Sequence, residues 1–151
     1  MEFAQRIEVP LAREAVWDIV MDVHRVTQCI DGVERLEIKS PDAFEGTLAV
    51  KMGPVRLAFE GTVTVTSRAR DQWSASLMAA AKDRKAGGGF TAELTIELVE
   101  LGPDLTGLDL RLSTSLTGRI GQLGRPLIKK RVERILENFG TTLLEREVGN
   151  G

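Results

Sequence analysis

After Gly32 the chain alternates apolar and polar residues for about 85 positions, the period of half-buried β-strands. The pattern breaks at turn formers: Pro41-Asp42, Gly53-Pro54 and Gly102-Pro103-Asp104. Strands joined by connections this short cannot run parallel, because a parallel pair needs a crossover of about a dozen residues. An antiparallel meander is therefore predicted. The clearest strand sets Val55, Leu57, Phe59, Gly61, Val63 and Val65 against Arg56, Glu60, Thr62, Thr64 and Thr66. Val33–Ser40 precedes it, as does a strand with Phe44, Gly46, Leu48, Val50 and Met52 on one face. Three rows follow: Trp73 to Ala79, Phe90 to Leu98, and Leu108 to Leu116. Between the first two of these, Lys82–Gly89 reads as a polar loop. Gly46, Gly61 and Gly107 lie inside strands, where glycine weakens pairing but permits sharp curvature. A curved sheet has a concave face, and something must fill it.

The flanking segments are helical or short. Glu2–Val9 alternates as a first strand, Pro10 sits where a helix starts, and Leu11–Val20 has helical spacing. Asp22 is placed to cap a second short helix running through Ile30, which Asp31-Gly32 ends. Near the C-terminus, Ile128, Val132, Ile135, Leu136, Phe139 and Leu143 form one apolar stripe of a long helix. Ile120, Leu123 and Leu127 fall on a different stripe, separated from the first by Gly124 and Pro126 and preceded by Gly118 and Gly121. A helix-interior proline costs about 3 kcal/mol, so a firm helix is expected after Pro126 and a glycine-loosened turn before it. Two readings of that turn stay open: a ragged helix start, or a mobile gate made of Gly118, Gly121, Gly124 and Pro126. The expectation is one α+β domain over residues 1–147 with a short tail at 148–151, in which a curved sheet of about seven strands surrounds the C-terminal helix.

Composition narrows the function classes. With 42% apolar and 28% charged residues the chain has a globular balance, and no apolar run approaches the roughly 20 residues of a membrane helix. The first ten residues carry charges where a signal peptide has its apolar stretch, and the single Cys29 cannot form an internal disulfide. The expected setting is a reducing cytoplasm. A net charge of -2 argues against nucleic acid as a partner. That charge is polarised. From Leu110 to Arg134 seven basic residues face one acid, a surplus of six, which leaves about -8 on the rest of the chain. The window is either a solvated helix face or a docking surface, formed by Arg119, Arg125, Lys129, Lys130 and Arg134, for anionic lipid or an acidic protein.

Catalytic chemistry is sparse. His24 is the one histidine, with no Gly-x-Ser-x-Gly elbow anywhere in the chain. His24 and Cys29 alone do not make a zinc site, and there is no tyrosine. Gly87-Gly88-Gly89 lacks the lysine and hydroxyl residue of a phosphate-binding loop. No catalytic residue, metal ligand or covalently bound cofactor is assigned. The inward rows are nearly all aliphatic or Phe, which suits either a solid core or an oily cavity left open by small residues such as Ala75, Ala79 and Ala92.

Strand, two short helices, six-strand meander and long C-terminal helix is the order of the START-like helix-grip (SRPBCC) superfamily. The motifs go further. Val16-Trp17, Cys29-Ile30-Asp31-Gly32, Lys51-Met52-Gly53-Pro54-Val55, Phe59-Glu60-Gly61 and Gly121-Gln122-Leu123-Gly124, in that order, resemble the family of the carbon monoxide dehydrogenase G subunit over essentially the whole chain. Asp31 stands where that family usually has proline, and longer members carry a membrane-associating tail beyond this domain. The resemblance implies an accessory role beside a molybdenum hydroxylase, membrane recruitment, and an internal cavity for a quinone or other lipid. It places the cavity lining on Leu48, Val50, Leu57, Phe59, Leu77, Leu94, Leu110, Leu112, Ile120, Leu123 and Leu127. Two other classes remain: an enzyme of the polyketide cyclase or hydrolase type, and a purely protein-binding adaptor.

Overall fold

A computed structural model describes residues 1–83, 85 and 87–149. Strand β1 (Glu2–Val9) leads into helices α1 (Arg13–Val20) and α2 (Val23–Gln28). The meander follows as β2 (Val33–Ser40), β3 (Ala43–Met52), β4 (Val55–Ala69), β5 (Ser74–Asp83), β6 (Gly88–Gly102) and β7 (Leu105–Thr117). A single helical turn, α3 (Gly118–Gly121), precedes the long α4 (Arg125–Glu147). The strands form one sheet in the order β1-β7-β6-β5-β4-β3-β2, every pair antiparallel, so the expected helix-grip meander is the fold. Its hairpins turn at the predicted dipeptides; Gly53, at φ 61°, takes a left-handed conformation that glycine adopts without strain.

The small residues fall in one row across the sheet. Register sets Gly46 opposite Gly61, Gly61 opposite Ala81 and Ala81 opposite Phe90. A Cβ on Gly46 would lie 2.5 Å from the Arg35 carbonyl oxygen, and one on Gly61 would fall on the Ala80 carbonyl and 2.6 Å from the Ala81 Cβ. Neighbouring backbones approach too closely there for any side chain, which lets the sheet bend. The next inward row, Phe44–Val63–Ala79–Ala92, is also short in its centre.

Two cores form at opposite ends of the concave face. One gathers Ile7, Val9, Val16, Ile19, Leu98, Leu108 and Leu143. The other gathers Val50, Met52, Leu57, Phe59, Ile120 and Ile128. Helix α4 spans both, contributing Ile128 to one and Leu143 to the other. At Gly140 it comes so close to β1 that an added Cβ would sit 3.2 Å from Ile7. The rest of its predicted stripe, Val132, Ile135, Leu136 and Phe139, is half-buried.

Several boundaries differ from the sequence reading. Helix α1 starts at Arg13, not beside Pro10, because the Leu11 N–H bonds the Val9 carbonyl at 2.8 Å and makes a tight turn first. Helix α2 ends at Gln28 because the N–H groups of Cys29 and Ile30 reach back only three residues. Its cap is as expected: Asp22 accepts from the N–H groups of His24 and Arg25 at 3.0 and 3.2 Å. The expected loop Lys82–Gly89 is shorter, since Lys82 pairs with Gly89 and Asp83 with Gly88; its residues 84 and 86 lie outside the described residues. Trp73 is not a strand residue: it closes the β4–β5 hairpin at φ 54°, with Arg70 stacked 3.6 Å over its ring and Trp17 edge-on at 6.0 Å. Pro126 costs α4 nothing, because it sits in the first turn, where its missing N–H would have no partner. The predicted tail begins at Val148, whose N–H still bonds the Leu144 carbonyl at 3.0 Å; residues 150 and 151 lie outside the described residues.

Candidate functional site

Between the two cores the concave face is unfilled. An apolar trough in two lobes, of about 250 and 230 Å³, runs under α2 and is partly open to solvent. Thr27, Ile30, Leu36, Phe44 and Val63 wall both lobes, so the two are continuous. The first lobe reaches Val20, Val23, Val26, Ala75, Leu77, Leu94 and Ile96. The second reaches Leu48, Phe59, Gly61, Ala79, Ala81 and Phe90. The short side chains of Gly61, Ala75, Ala79 and Ala81 are what leave the space. At the second lobe's end Phe59 and Phe90 meet edge to face at 4.9 Å, a stable aromatic geometry that separates the trough from the core under α3.

The wall is mostly apolar, and its charged members are paired. In the first lobe the polar members are Thr27, Ser76 and Arg68, and in the second Thr27, Arg35, Glu45, Thr47 and Thr62, with Arg35 paired to Glu37 at 3.0 Å and Glu45 to Lys39 at 3.5 Å. The Thr27 hydroxyl donates to the Val23 carbonyl at 2.8 Å, and Arg68 is held by the Asp42 carboxylate and, at 2.9 Å, the Pro41 carbonyl. Cys29 lies outside both lobes, buried, and burial pushes its thiol above the usual range, which keeps it protonated and unreactive. His24 is exposed on the outer side of α2. The arrangement can take up an apolar molecule by surface burial.

Of the eleven residues expected to line the cavity, Leu48, Phe59, Leu77 and Leu94 do so. Val50, Leu57, Leu110 and Ile120 are core residues, each at most 5% exposed. Val50 and Leu57 face each other across the closed end of the β3–β4 hairpin, where α3 and α4 cover them. Leu123 and Leu127 pack on that same core, and Leu112 is half-buried on β7 away from both lobes. Ala75 and Ala79 border the trough, whereas Ala92 does not. The roof was missed: Val23, Val26 and Thr27 of α2, with Ile30 just beyond its end, fall at i, i+3, i+4 and i+7 on one side of a helix too short to have a core of its own.

The segment expected as a gate is clasped. Gly118, at φ 66°, bridges to Gly88, the Arg119 N–H donates to the Gly87 carbonyl at 2.7 Å, and Ile120 is buried. Gly124, at φ 96°, starts α4, and neither Gly121 nor Pro126 borders the trough.

Arg119, Arg125, Lys129, Lys130 and Arg134 are all exposed, and none forms an ion pair among the described residues. Folding adds to them. The β3–β4 turn approaches α4, with Gly53 next to the Leu127 side chain, and this brings Lys51 and Arg56, paired across the hairpin, to the same end. Lys85 joins them from the loop that α3 clasps. Helix α4 begins among these cations with no acid in its first turn, the reverse of what a helix N-terminus favours.

A curved antiparallel sheet gripping a long C-terminal helix over an apolar trough defines a START-like helix-grip protein. Within that class the sequence matches the profile of the CoxG family, that of the carbon monoxide dehydrogenase G subunit, over residues 6–146, and the chain belongs to this family. No curated protein matches it. Among solved structures, a conserved protein from Geobacillus kaustophilus is 20% identical, covering 97% of this chain and 94% of that one, with a TM-score of 0.87. A START superfamily protein from Mycobacterium smegmatis is 19% identical over 96% and 95%, with a TM-score of 0.71. An aromatase/cyclase from a Streptomyces species is 14% identical over 100% and 98%, with a TM-score of 0.63. At these identities the likeness concerns the fold.

Proposed function

We propose that the protein binds a hydrophobic small molecule, a quinone or other lipid, in the trough and acts without catalysis as an accessory to a carbon monoxide dehydrogenase-type molybdenum hydroxylase. The observation that carries this reading is the open apolar space whose floor is built from glycine and alanine. A ligand seated there gains about 25 cal/mol for each Å² of its apolar surface removed from water, before ordering costs. Family membership supports the partner enzyme. The largely apolar wall, whose charged members Arg35, Glu45 and Arg68 are each held in an ion pair, supports carriage over catalysis, since a cyclase needs free acid or base groups facing its substrate.

The cationic end carries the second part of the proposal: peripheral docking on an anionic membrane. Exposed Pro54 and Pro126 and half-buried Val55, Leu123 and Leu127 form an apolar apex among Lys51, Arg56, Arg125 and Lys129. Each well-placed Lys or Arg contributes about 1 kcal/mol at an anionic surface. The test is direct. Delipidated protein titrated with a short-chain quinone, a fatty acid and the neutral fluorophore N-phenyl-1-naphthylamine binds at least one of them saturably, and native mass spectrometry reports one ligand per chain. Absence of binding to all three ends the carrier reading and leaves a protein-docking adaptor.

A further inference from the structure

The roof of the trough is the part of the fold with the weakest hold on the core. Helix α2 has six residues and none is buried, yet Val23, Val26 and Thr27 lie over the lobes. Its ends are anchored: Val20 before it and Cys29 after it are buried, and Gly32, at φ 96°, turns the chain into β2. Between these anchors the outer side of α2 is tied to the last turns of α4. Arg25 donates through Nε and Nη2 to Glu147 Oε1 at 3.0 and 2.5 Å, and Arg146 Nη2 donates to Gln28 Oε1 at 2.6 Å. The Glu147 side chain is 12% exposed and that of Arg25 44%, so the pair is shielded from water on the carboxylate side and open to it on the guanidinium side. Segment 118–126, by contrast, is pinned through Ile120 and the Gly87 carbonyl and cannot lift without opening a core.

We propose that α2 is the lid of the trough and that the Arg25–Glu147 pair, backed by Gln28 and Arg146, is the latch that holds it shut, an inference that rests on the trough being the ligand site. Local opening draws on segments with few buried contacts, and α2 is one. Swinging it about Val20 and Cys29 uncovers the first lobe and the Thr27 border it shares with the second, while the sheet and α4 stay in place. The latch sets how often this occurs, so it governs the rates of ligand entry and exit more than the affinity.

The experiment needs no ligand for its first readout. In Arg25→Gln and Glu147→Gln, deuterium exchange of residues 22–32 speeds up about fivefold, the scale of a lost ion pair, while β6 and β7 exchange as in the parent. The swapped double variant, Arg25→Glu with Glu147→Arg, returns exchange toward the parent rate. Unchanged exchange at 22–32, or an equal rise across β6 and β7, overturns the lid. The second readout is stopped-flow binding of N-phenyl-1-naphthylamine, in which association and dissociation both accelerate in the single variants with little change in Kd. A parent protein that binds no probe overturns the trough as ligand site, while the exchange data still decide whether α2 is latched.

Discussion

Ala79 lines the second lobe, a space of about 230 Å³, between Val63 on one side and Ala92 on the other. Ala79→Leu adds three carbons pointing into that space. At about 0.8 kcal/mol per methylene removed from water, full burial gains about 2.4 kcal/mol, less about 0.5–1 kcal/mol of side-chain entropy. A net gain of about 1.5 kcal/mol is expected, which for a chain of this size raises the melting temperature by about 3–6 °C. In a filled core the same insertion strains its neighbours and costs about 1–3 kcal/mol. Urea unfolding at constant m-value gives the sign. Occupying the lobe also evicts the ligand, so affinity for N-phenyl-1-naphthylamine falls at least about tenfold, equivalent to about 1.4 kcal/mol. Destabilisation by more than about 1 kcal/mol, or stabilisation with unchanged probe affinity, refutes the reasoning that an oily void is the binding site.

Gly61→Ala should cost about 3 kcal/mol or more, because its Cβ meets backbone of β5 that cannot retreat, whereas Gly102→Ala, with Leu105 Cβ at 3.7 Å, should stay within about 0.5 kcal/mol in the same urea titration. Hydrogen bonds from Arg6 at 2.6 and 2.9 Å hold the Asp109 carboxyl below its ordinary 3.8, so this pair stabilises the fold above that pH and the contribution fades as pH falls through the lowered value. Arg6→Gln is then less stable than the parent at pH 7, and the gap closes in strong acid; a gap independent of pH would contradict the linkage. Reversing Lys129, Lys130 and Arg134 to glutamate removes about 3 kcal/mol of attraction to anionic bilayers, enough to abolish co-sedimentation with phosphatidylglycerol vesicles. Undiminished sedimentation would make the basic window a solvated helix face.

Local periodicity was sufficient for the architecture. Period-2 alternation with turn dipeptides determines an antiparallel meander because strand direction and short-loop chirality are nearest-neighbour properties, and β1 and β2 begin and end where the pattern does. Asp22 as cap and Pro126 as the start of a firm helix were legible for the same reason. The site was only partly legible. Leu48, Phe59, Leu77 and Leu94 were on the right face, but so were Val50 and Leu57, and alternation does not say where along a strand the interior closes. That depended on where α3 and α4 land, a long-range matter. The position of the opening was decided in the same way: the glycines at 118–124 look loose in sequence, yet tertiary hydrogen bonds clasp them, while α2, capped and well formed locally, covers the trough without being buried. Whether small residues leave a hollow depends on how far apart the facing walls stand, and that distance belongs to the fold, not to any one segment of the chain.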